Sequence, residues 1–316
     1  MFLSAKSKSK ELQPQSIDVE ANDLDCSRLA HLYLSPLNQC NLNCKICYTA
    51  KSGPELNPDT IIRFLGKYQQ HLQDNYQLEL ETVTFCGGEI FLSDSALELI
   101  NWVTNQGVVA QIITNGTVDK LEKLINPGLI NLIVSLDGLA EYHDLNRGEA
   151  SWNRSVQFIK KALNLGFQAE VFSVVTRQNL GQLDQFEERL TQLIGQRLAV
   201  SYHPRKPVAF LESHPVDNRT GLIKGFDFLT KLEWHQLWDQ KQVFPPRNLD
   251  CSLLSIFADG KIYSCCEGTE PIGQLEDELE LIITKFLTAS QQQVCGRRCS
   301  EPSFACGLKD ILNENN

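Results

Sequence analysis

Long hydrophobic runs, an export signal and an excess of positive charge are all missing from this sequence. No apolar stretch among its 316 residues approaches the roughly 20 residues that a membrane-spanning helix needs. The first 25 residues are polar and lysine-rich, without the apolar segment of a secretory signal. The formal net charge of −10 argues against general nucleic-acid binding. We therefore expect a cytoplasmic protein that has neither a membrane nor a nucleic acid among its partners.

Cysteine, by contrast, is abundant. The chain has 11 cysteines, and in a reducing compartment clustered cysteines are more often metal ligands than disulfides. Three of them lie between Cys40 and Cys47, and six follow residue 250. The remaining two, Cys26 and Cys86, stand alone, and a lone cysteine is usually part of the packed interior.

From residue 30 to residue 202, short apolar runs alternate with helical patterns. The clearest helix begins at Pro58 after a capping Asn57. Repeated strand–helix units predict a parallel sheet with right-handed crossovers, and six units are too few for an eightfold barrel. We predict an α/β fold, a partial (β/α)6 TIM-like barrel that binds ligands at the carboxyl ends of its strands. The predicted strands are Ala30–Leu34, Thr82–Cys86, Val109–Ile113, Ile130–Ser135, Ala169–Val175 and Leu198–Tyr202.

The pattern changes after Gly225. A helix over Lys231–Gln240 is followed by a hairpin signal at Asp259-Gly260, with strands at Leu253–Phe257 and Lys261–Ser264. A helix over Glu276–Ala289 and a cysteine-rich end come next. We therefore divide the chain into a flexible tail (1–28), a barrel core (29–225) and a small C-terminal domain (226–316).

Cys40, Cys44 and Cys47 come directly after the first predicted strand, in a loop at the carboxyl end of the sheet. Three closely spaced thiolates can hold three irons of a [4Fe–4S] cluster and leave the fourth iron open to a ligand. The alternative is a structural zinc loop with a distant fourth ligand.

This C-x3-C-x2-C loop resembles the signature of the radical S-adenosylmethionine (SAM) superfamily. Gly87-Gly88-Glu89 is similar to the family's GGE motif, which implies that its backbone and the Glu89 carboxylate bind the SAM amino group. Further positions that the resemblance assigns to SAM are Thr114 and Asn115 after the third strand, Ser135 and Asp137 at the fourth, and Arg147 for the SAM carboxylate. A surface arginine at the start of a helix is an equal interpretation of Arg147.

The sequence departs from the family pattern at two places. Ile46 replaces the usual aromatic residue before the third cysteine, and the following Tyr48 is the residue expected to compensate near the adenine. Ile90 replaces the usual proline after GGE. The resemblance implies that the cluster passes one electron to SAM, and that the resulting 5′-deoxyadenosyl radical abstracts a hydrogen atom from the substrate.

The C-terminal cysteines are similar to the SPASM and twitch extensions of radical SAM enzymes, which hold auxiliary iron–sulfur clusters. The hairpin part fits a C-x8-G-x4-C pattern, but fewer cysteines follow the last helix than two clusters need. We expect one twitch-like auxiliary cluster, a [4Fe–4S] cluster, and a zinc ribbon or free thiols are the alternatives. Its candidate ligands are Cys251, Cys265, Cys295, Cys299 and Cys306, with Cys266 competing for a place.

The sequence defines the substrate less closely than it defines the fold and the cofactors. Tyr33, Tyr202 and His203 lie near strand ends and are weak candidates for catalytic groups. The overall resemblance is to maturases of ribosomally made peptides, and specifically to the splicease group, which excises tyramine and leaves an α-keto-β-amino acid. It implies a precursor peptide as substrate and a separate leader-recognition protein acting in trans.

Several other functions remain open from the sequence. Epimerisation, thioether formation and carbon–carbon crosslinking are alternative peptide chemistries. A dehydrogenase or cofactor-biosynthesis enzyme acting on a small molecule is a second class, and a non-catalytic zinc-binding interaction protein is a third.

Overall fold

The computed structural model describes residues 26–49, 51–206, 223–243, 253–268 and 270–291. The strands of this part form one nine-stranded sheet in the order β6-β5-β4-β3-β2-β1-β7-β8-β9. Its strands are β1 (His31–Ser35), β2 (Thr82–Phe85), β3 (Val109–Thr114), β4 (Ile130–Ser135), β5 (Gln168–Val175), β6 (Val200–Pro204), β7 (Leu254–Phe257), β8 (Lys261–Tyr263) and β9 (Gly273–Gln274). Its α-helices are α1 (Pro58–Tyr76), α2 (Asp94–Asn105), α3 (Ala140–Arg147), α4 (Ser151–Asn164), α5 (Leu183–Ile194), α6 (Lys231–Gln240) and α7 (Leu279–Gln291).

Strands β1 to β6 are all parallel and neighbour one another in chain order. Each connection between them contains an α-helix except the one from β3 to β4, which contains two single-turn 3-10 helices, Leu121–Lys123 and Pro127–Leu129. The predicted α/β fold is confirmed, and the β3–β4 connection departs from the expected strand–helix pattern. The observed and predicted bounds agree to within one residue at β1 to β5. The largest shift is at β6, which was predicted at Leu198–Tyr202 and is observed at Val200–Pro204.

Helix α1 forms where the capping signals placed it. The Asn57 side chain accepts from the backbone N–H of Thr60 at 3.2 Å, and Pro58 occupies the first helical position. One stripe of the helix, which includes Phe64, Tyr68 and Leu72, is buried in the core. Gln77 follows the last residue of the helix as its C-cap, and it adopts the left-handed conformation with φ of 55° although it is not a glycine.

The two faces of the sheet differ in polarity. Alternate strand residues such as Val83, Phe85 and Ile112 are buried in the hydrophobic core that the helices complete. The opposite face carries half-buried, mostly polar side chains, and we call it the polar face. Its members on the strands include Tyr33, Thr84, Gln111, Asn131, Glu170 and His203. The period of two along each strand produces this separation.

The C-terminal part extends the same sheet. Strand β7 pairs in parallel with β1, with Leu32 opposite Leu254, and the β7–β8 hairpin follows as predicted. Phe286 of α7 is fully buried in the common core. The described C-terminal elements are thus joined to the barrel by strand pairing, and the boundary near residue 225 remains a prediction.

Several predictions fall on residues that the structure does not describe. These are most of the 1–28 tail and the cysteines Cys251, Cys295, Cys299 and Cys306. Among the described helices, none has the length and apolar composition needed to cross a membrane.

Candidate active site at the carboxyl ends of the strands

The cysteine loop leaves β1 at the carboxyl end of the sheet, as predicted. Cys44 is buried, and Cys40 and Cys47 are half-buried. The loop is closed by its own backbone, since the Cys47 N–H donates to the Cys44 carbonyl at 3.3 Å. The Lys51 ammonium group, which follows the loop in the chain, donates a hydrogen bond to the Leu42 carbonyl within it. The chain therefore presents the three thiols from one compact loop.

Three thiols from one loop are a donor set that a [4Fe–4S] cluster can take, with one thiolate at each of three irons. Burial raises the pKa of Cys40 and of Cys44, and the charge of Arg147 opposes that rise at Cys44.

Gly87 and Gly88 pack against the cysteine loop. The Gly88 N–H donates to the Leu37 carbonyl at 3.0 Å, and the Glu89 N–H donates to the Gln39 carbonyl at 2.8 Å. A Cβ atom on Gly88 would lie 2.0 Å from the Gln39 oxygen, and one on Gly87 would lie 2.3 Å from the Leu37 oxygen. These glycines are required by the close approach of two protein backbones, whereas the sequence suggested the approach of a ligand.

Glu89 is fully buried, and its carboxylate accepts three hydrogen bonds from the protein. Its assignment to the SAM amino group remains a prediction. Oε1 accepts from the Phe91 N–H at 3.1 Å and from the Thr114 hydroxyl at 2.7 Å, and Oε2 accepts from the Asn115 N–H at 2.7 Å. Burial raises the pKa of Glu89, and these bonds oppose the rise. Glu89 thus ties the end of β2 to the end of β3.

Asn115 continues this connection to the cysteine loop. Its Nδ2 donates to Asn41 Oδ1 at 3.0 Å, and Asn41 donates in turn to the Thr117 hydroxyl at 2.8 Å. Asn115 therefore lies beside Cys40, with its Nδ2 3.8 Å from the Cys40 sulfur, and the assignment of Thr114 and Asn115 to SAM remains a prediction. Their side chains are buried and engaged with the protein.

The buried Asp137 and the half-buried Arg147 form an ion pair, and their assignments to SAM remain predictions. Arg147 Nε lies 2.6 Å from Asp137 Oδ2, and Nη2 donates to Oδ1 at 3.0 Å. The same carboxylate also accepts from Asn146 Nδ2 and from the Val174 N–H. Burial favours a higher pKa for Asp137, but the charge of Arg147 outweighs it and the pKa lies below its usual value. Asp137 thus accepts four hydrogen bonds from protein donors, and its assignment to the ribose remains a prediction.

Arg147 is consequently held by a protein carboxylate, where the resemblance implied a SAM carboxylate. It nevertheless lies close enough to Cys44 and Cys47 for its charge to act on both thiols. Ser135 is half-buried at the end of β4, and its assignment to the ribose remains a prediction.

Tyr48 makes a hydrogen bond to the C-terminal part of the chain, and its expected place near the adenine remains a prediction. Its hydroxyl donates to Glu267 Oε1 at 3.0 Å, in the turn after β8, and Lys206 pairs with the same carboxylate at 3.3 Å. Tyr48 therefore connects the cysteine loop to the C-terminal part. Sequence reasoning missed Glu267 and Lys206, because nothing local to either residue signals a partner so distant along the chain.

Tyr33 faces the carboxyl end of the polar face, next to Cys86. The two side chains are hydrogen-bonded, and burial raises the pKa of both groups. Cys86 was expected to be a packing residue, and it is half-buried with a polar partner on the same face as Tyr33.

Tyr202 and His203, the two candidate catalytic residues on β6, lie on opposite faces of the sheet. Tyr202 points to the helix layer, where its hydroxyl donates to Glu187 of α5 at 2.8 Å, so it is removed from the candidate site. His203 lies on the polar face, with its ring 4.2 Å from that of Phe172. Burial and the charge of Lys206 lower the pKa of His203 to about 3, so its imidazole is neutral at physiological pH.

A known sequence family matches the part of the chain that contains this site. Residues 34–190, which include the cysteine loop, the GGE motif and Arg147, match the sequence model of the radical SAM superfamily. The chain belongs to the radical SAM superfamily. This family implies a [4Fe–4S] cluster and SAM, and Cys40, Cys44 and Cys47 are the residues that would hold the cluster.

Relatives of known name share parts of this chain. The mycofactocin maturase MftC of Mycolicibacterium smegmatis is 31% identical over 46% of this chain and 38% of its own length. The sporulation killing factor maturation protein SkfB of Bacillus subtilis is 24% identical over 88% of this chain and 68% of its own length. The alignment with MftC thus covers well under half of that protein.

Solved structures share the fold. Streptococcus suis SuiB bound to S-adenosylmethionine superposes with a TM-score of 0.62 at 16% identity, over 81% of this chain and 65% of SuiB. The similarity extends beyond the superfamily match at residues 34–190.

Proposed function

We propose that this protein is a radical SAM enzyme that abstracts a hydrogen atom from a ribosomally made precursor peptide. The observation that carries the proposal is the position of the cysteine loop at the carboxyl end of a polar sheet face. The names of MftC and SkfB, both maturation proteins, support a peptide as the class of substrate. SuiB has also been crystallised with its precursor peptide SuiA.

The residues around the loop have separate tasks in this proposal. When bound, the cluster and SAM supply the one-electron cleavage that yields a 5′-deoxyadenosyl radical. Gly88, Glu89 and Asn115 hold the loop to the ends of β2 and β3, so the reacting groups are fixed relative to the sheet.

The polar face suits an extended peptide. Thr84 donates to Gln111 at 3.0 Å, and Asn131 donates to Glu170 at 2.9 Å, so amide, hydroxyl and carboxylate groups lie along one face. These side chains are half-buried. A peptide backbone carries one donor and one acceptor at each residue other than proline, and groups of this kind can satisfy both.

An auxiliary cluster in the C-terminal part belongs to the same proposal. Cys265 is buried at the end of β8, and its sulfur accepts from the Glu267 N–H at 3.4 Å. The Cys40 sulfur accepts from the Leu42 N–H in the same way, also at 3.4 Å. We propose that Cys265 is one ligand of a twitch-like auxiliary [4Fe–4S] cluster. The remaining ligands would come from the C-terminal cysteines named in the sequence analysis.

The finer proposal is tyramine excision, with the leader segment bound by a separate recognition protein. The test is co-expression of this enzyme with the precursor peptide from its genomic neighbourhood, with and without the neighbouring recognition protein, followed by mass spectrometry. We expect loss of a tyramine unit at a Tyr-Gly site only when all three are present. An enzyme with the Cys40, Cys44 and Cys47 codons changed to alanine is the matched control.

Other outcomes of that experiment decide between alternatives. An altered peptide of unchanged mass indicates epimerisation, and loss of two hydrogens indicates a thioether or carbon–carbon crosslink. Full modification without a recognition protein contradicts recognition in trans. No change to the peptide in any combination contradicts the peptide proposal and favours a small molecule.

A further inference from the structure

The cysteine loop is held from two sides, and only one side involves a recognised motif. Next to Cys40, the loop is bound by the GGE glycines and by Asn115. Between Cys44 and Cys47 it is bound by Asn146, near the end of α3. We propose that Asn146 is a positioning residue that sets the orientation of the Cys44–Cys47 segment, and hence the environment of the cluster. The inference rests on the proposed function, in which these cysteines hold the cluster.

Asn146 makes two hydrogen bonds to consecutive backbone groups of the loop. The Lys45 N–H donates to the Asn146 carbonyl at 2.9 Å, and the Ile46 N–H donates to Asn146 Oδ1 at 3.2 Å. Lys45 and Ile46 are the two residues between the second and third cysteines. Two bonds at neighbouring peptide units fix the rotation of this short segment, and so the direction in which Cys44 and Cys47 leave it.

The Asn146 side chain is itself held in one orientation. It is 2% exposed, and its Nδ2 donates to Asp137 Oδ2 at 2.7 Å while Oδ1 faces the Ile46 N–H. A rotated amide would place its oxygen against a carboxylate and its NH2 group against a donor, and both contacts are unfavourable. The amide therefore cannot flip without losing both bonds.

Asp137 links this support to Arg147. The carboxylate binds both Asn146 and Arg147, which are neighbours in the chain, and Asp137 is anchored to β5 by the Val174 N–H at 3.1 Å. The hydrogen bonds to the loop and the positive charge beside Cys44 and Cys47 thus share one anchor. Residues of this kind, behind the metal ligands, typically change metal affinity by about 10–100-fold when they are replaced.

The test replaces Asn146 with leucine, which removes the amide at similar size. Anaerobically reconstituted protein is exposed to an iron chelator, and the loss of the SAM cluster is followed by electron paramagnetic resonance of the reduced protein with and without SAM. We expect Asn146→Leu to lose the cluster about tenfold faster than wild type and to give an altered spectrum. Asn146→Ala, which adds no bulk, is measured in parallel in case the leucine disturbs folding.

Asn101 provides a matched control. This asparagine of α2 also grips a loop backbone with both amide atoms, since Nδ2 donates to the Lys123 carbonyl at 2.8 Å and Oδ1 accepts from the Ile125 N–H at 3.1 Å. Asn101→Leu should leave the rate of cluster loss and the spectrum unchanged. Equal effects of the Asn146 and Asn101 variants, or wild-type behaviour of both Asn146 variants, would overturn the inference. If the wild type itself holds no cluster at these cysteines, the proposed function fails first.

Discussion

Three buried polar side chains connect the elements that surround the cysteine loop. Glu89, Asp137 and Asn146 are each almost fully buried, and their side chains are hydrogen-bonded to other protein groups. The resemblance identified Glu89 and Asp137 and assigned both to SAM, which remains a prediction. Several of their contacts in the structure lie 25 or more residues away along the chain, at Thr114, Asn115 and Val174, and local sequence carries no signal for such partners.

The buried carboxylate of Glu89 leads to a prediction about the stability of the protein. Glu89→Gln should lower the free energy of unfolding by about 1–3 kcal/mol, because an amide must turn its NH2 group toward one of the three donors. Urea unfolding followed by circular dichroism measures the change. Glu170→Gln is the control, since Glu170 is half-buried and accepts a hydrogen bond from Asn131, so the loss of stability should be smaller. An unchanged unfolding midpoint in Glu89→Gln would contradict the structural role of this carboxylate.

At the scale of strands and helices, alternation along a strand decides which residues reach the site. Tyr202 and His203 are neighbours on β6, and both were candidates because both end a strand. A period of two places them on opposite faces, and the hydrogen bond to Glu187 shows which face belongs to Tyr202. The sequence placed these strands well, because their apolar runs are bounded by clear turns. It did not assign their faces, since that depends on where the helices pack.

The β7–β8 hairpin carries the prediction for the auxiliary cluster. With Cys265 at its end as one ligand, anaerobic reconstitution should give about eight irons per chain, and about four after replacement of Cys40, Cys44 and Cys47 by alanine. Iron and zinc are measured together by elemental analysis. About twelve irons would indicate two auxiliary clusters, and about four with bound zinc would support a zinc ribbon in place of the auxiliary cluster.

At the scale of the whole molecule, the pairing of β7 with β1 joins residues more than 200 positions apart into one sheet. The sequence predicted the six-unit barrel and the C-terminal hairpin separately, because each is built from local patterns. It did not predict their continuity, since no local pattern specifies which strand edge a distant hairpin joins. This continuity brings Glu267 to Tyr48 and so connects the cysteine loop to the C-terminal part.

The central claim is that Cys40, Cys44 and Cys47 hold the cluster that cleaves SAM. The direct measurement is 5′-deoxyadenosine formation from SAM by dithionite-reduced protein, comparing wild type with the variant that carries alanine at all three positions. We predict that the variant stays folded, because the hydrophobic core lies beneath the loop, and that it forms no 5′-deoxyadenosine. Cys26→Ala, outside the loop, should form it at the wild-type rate. Formation of 5′-deoxyadenosine by the triple variant at the wild-type rate would contradict the assignment.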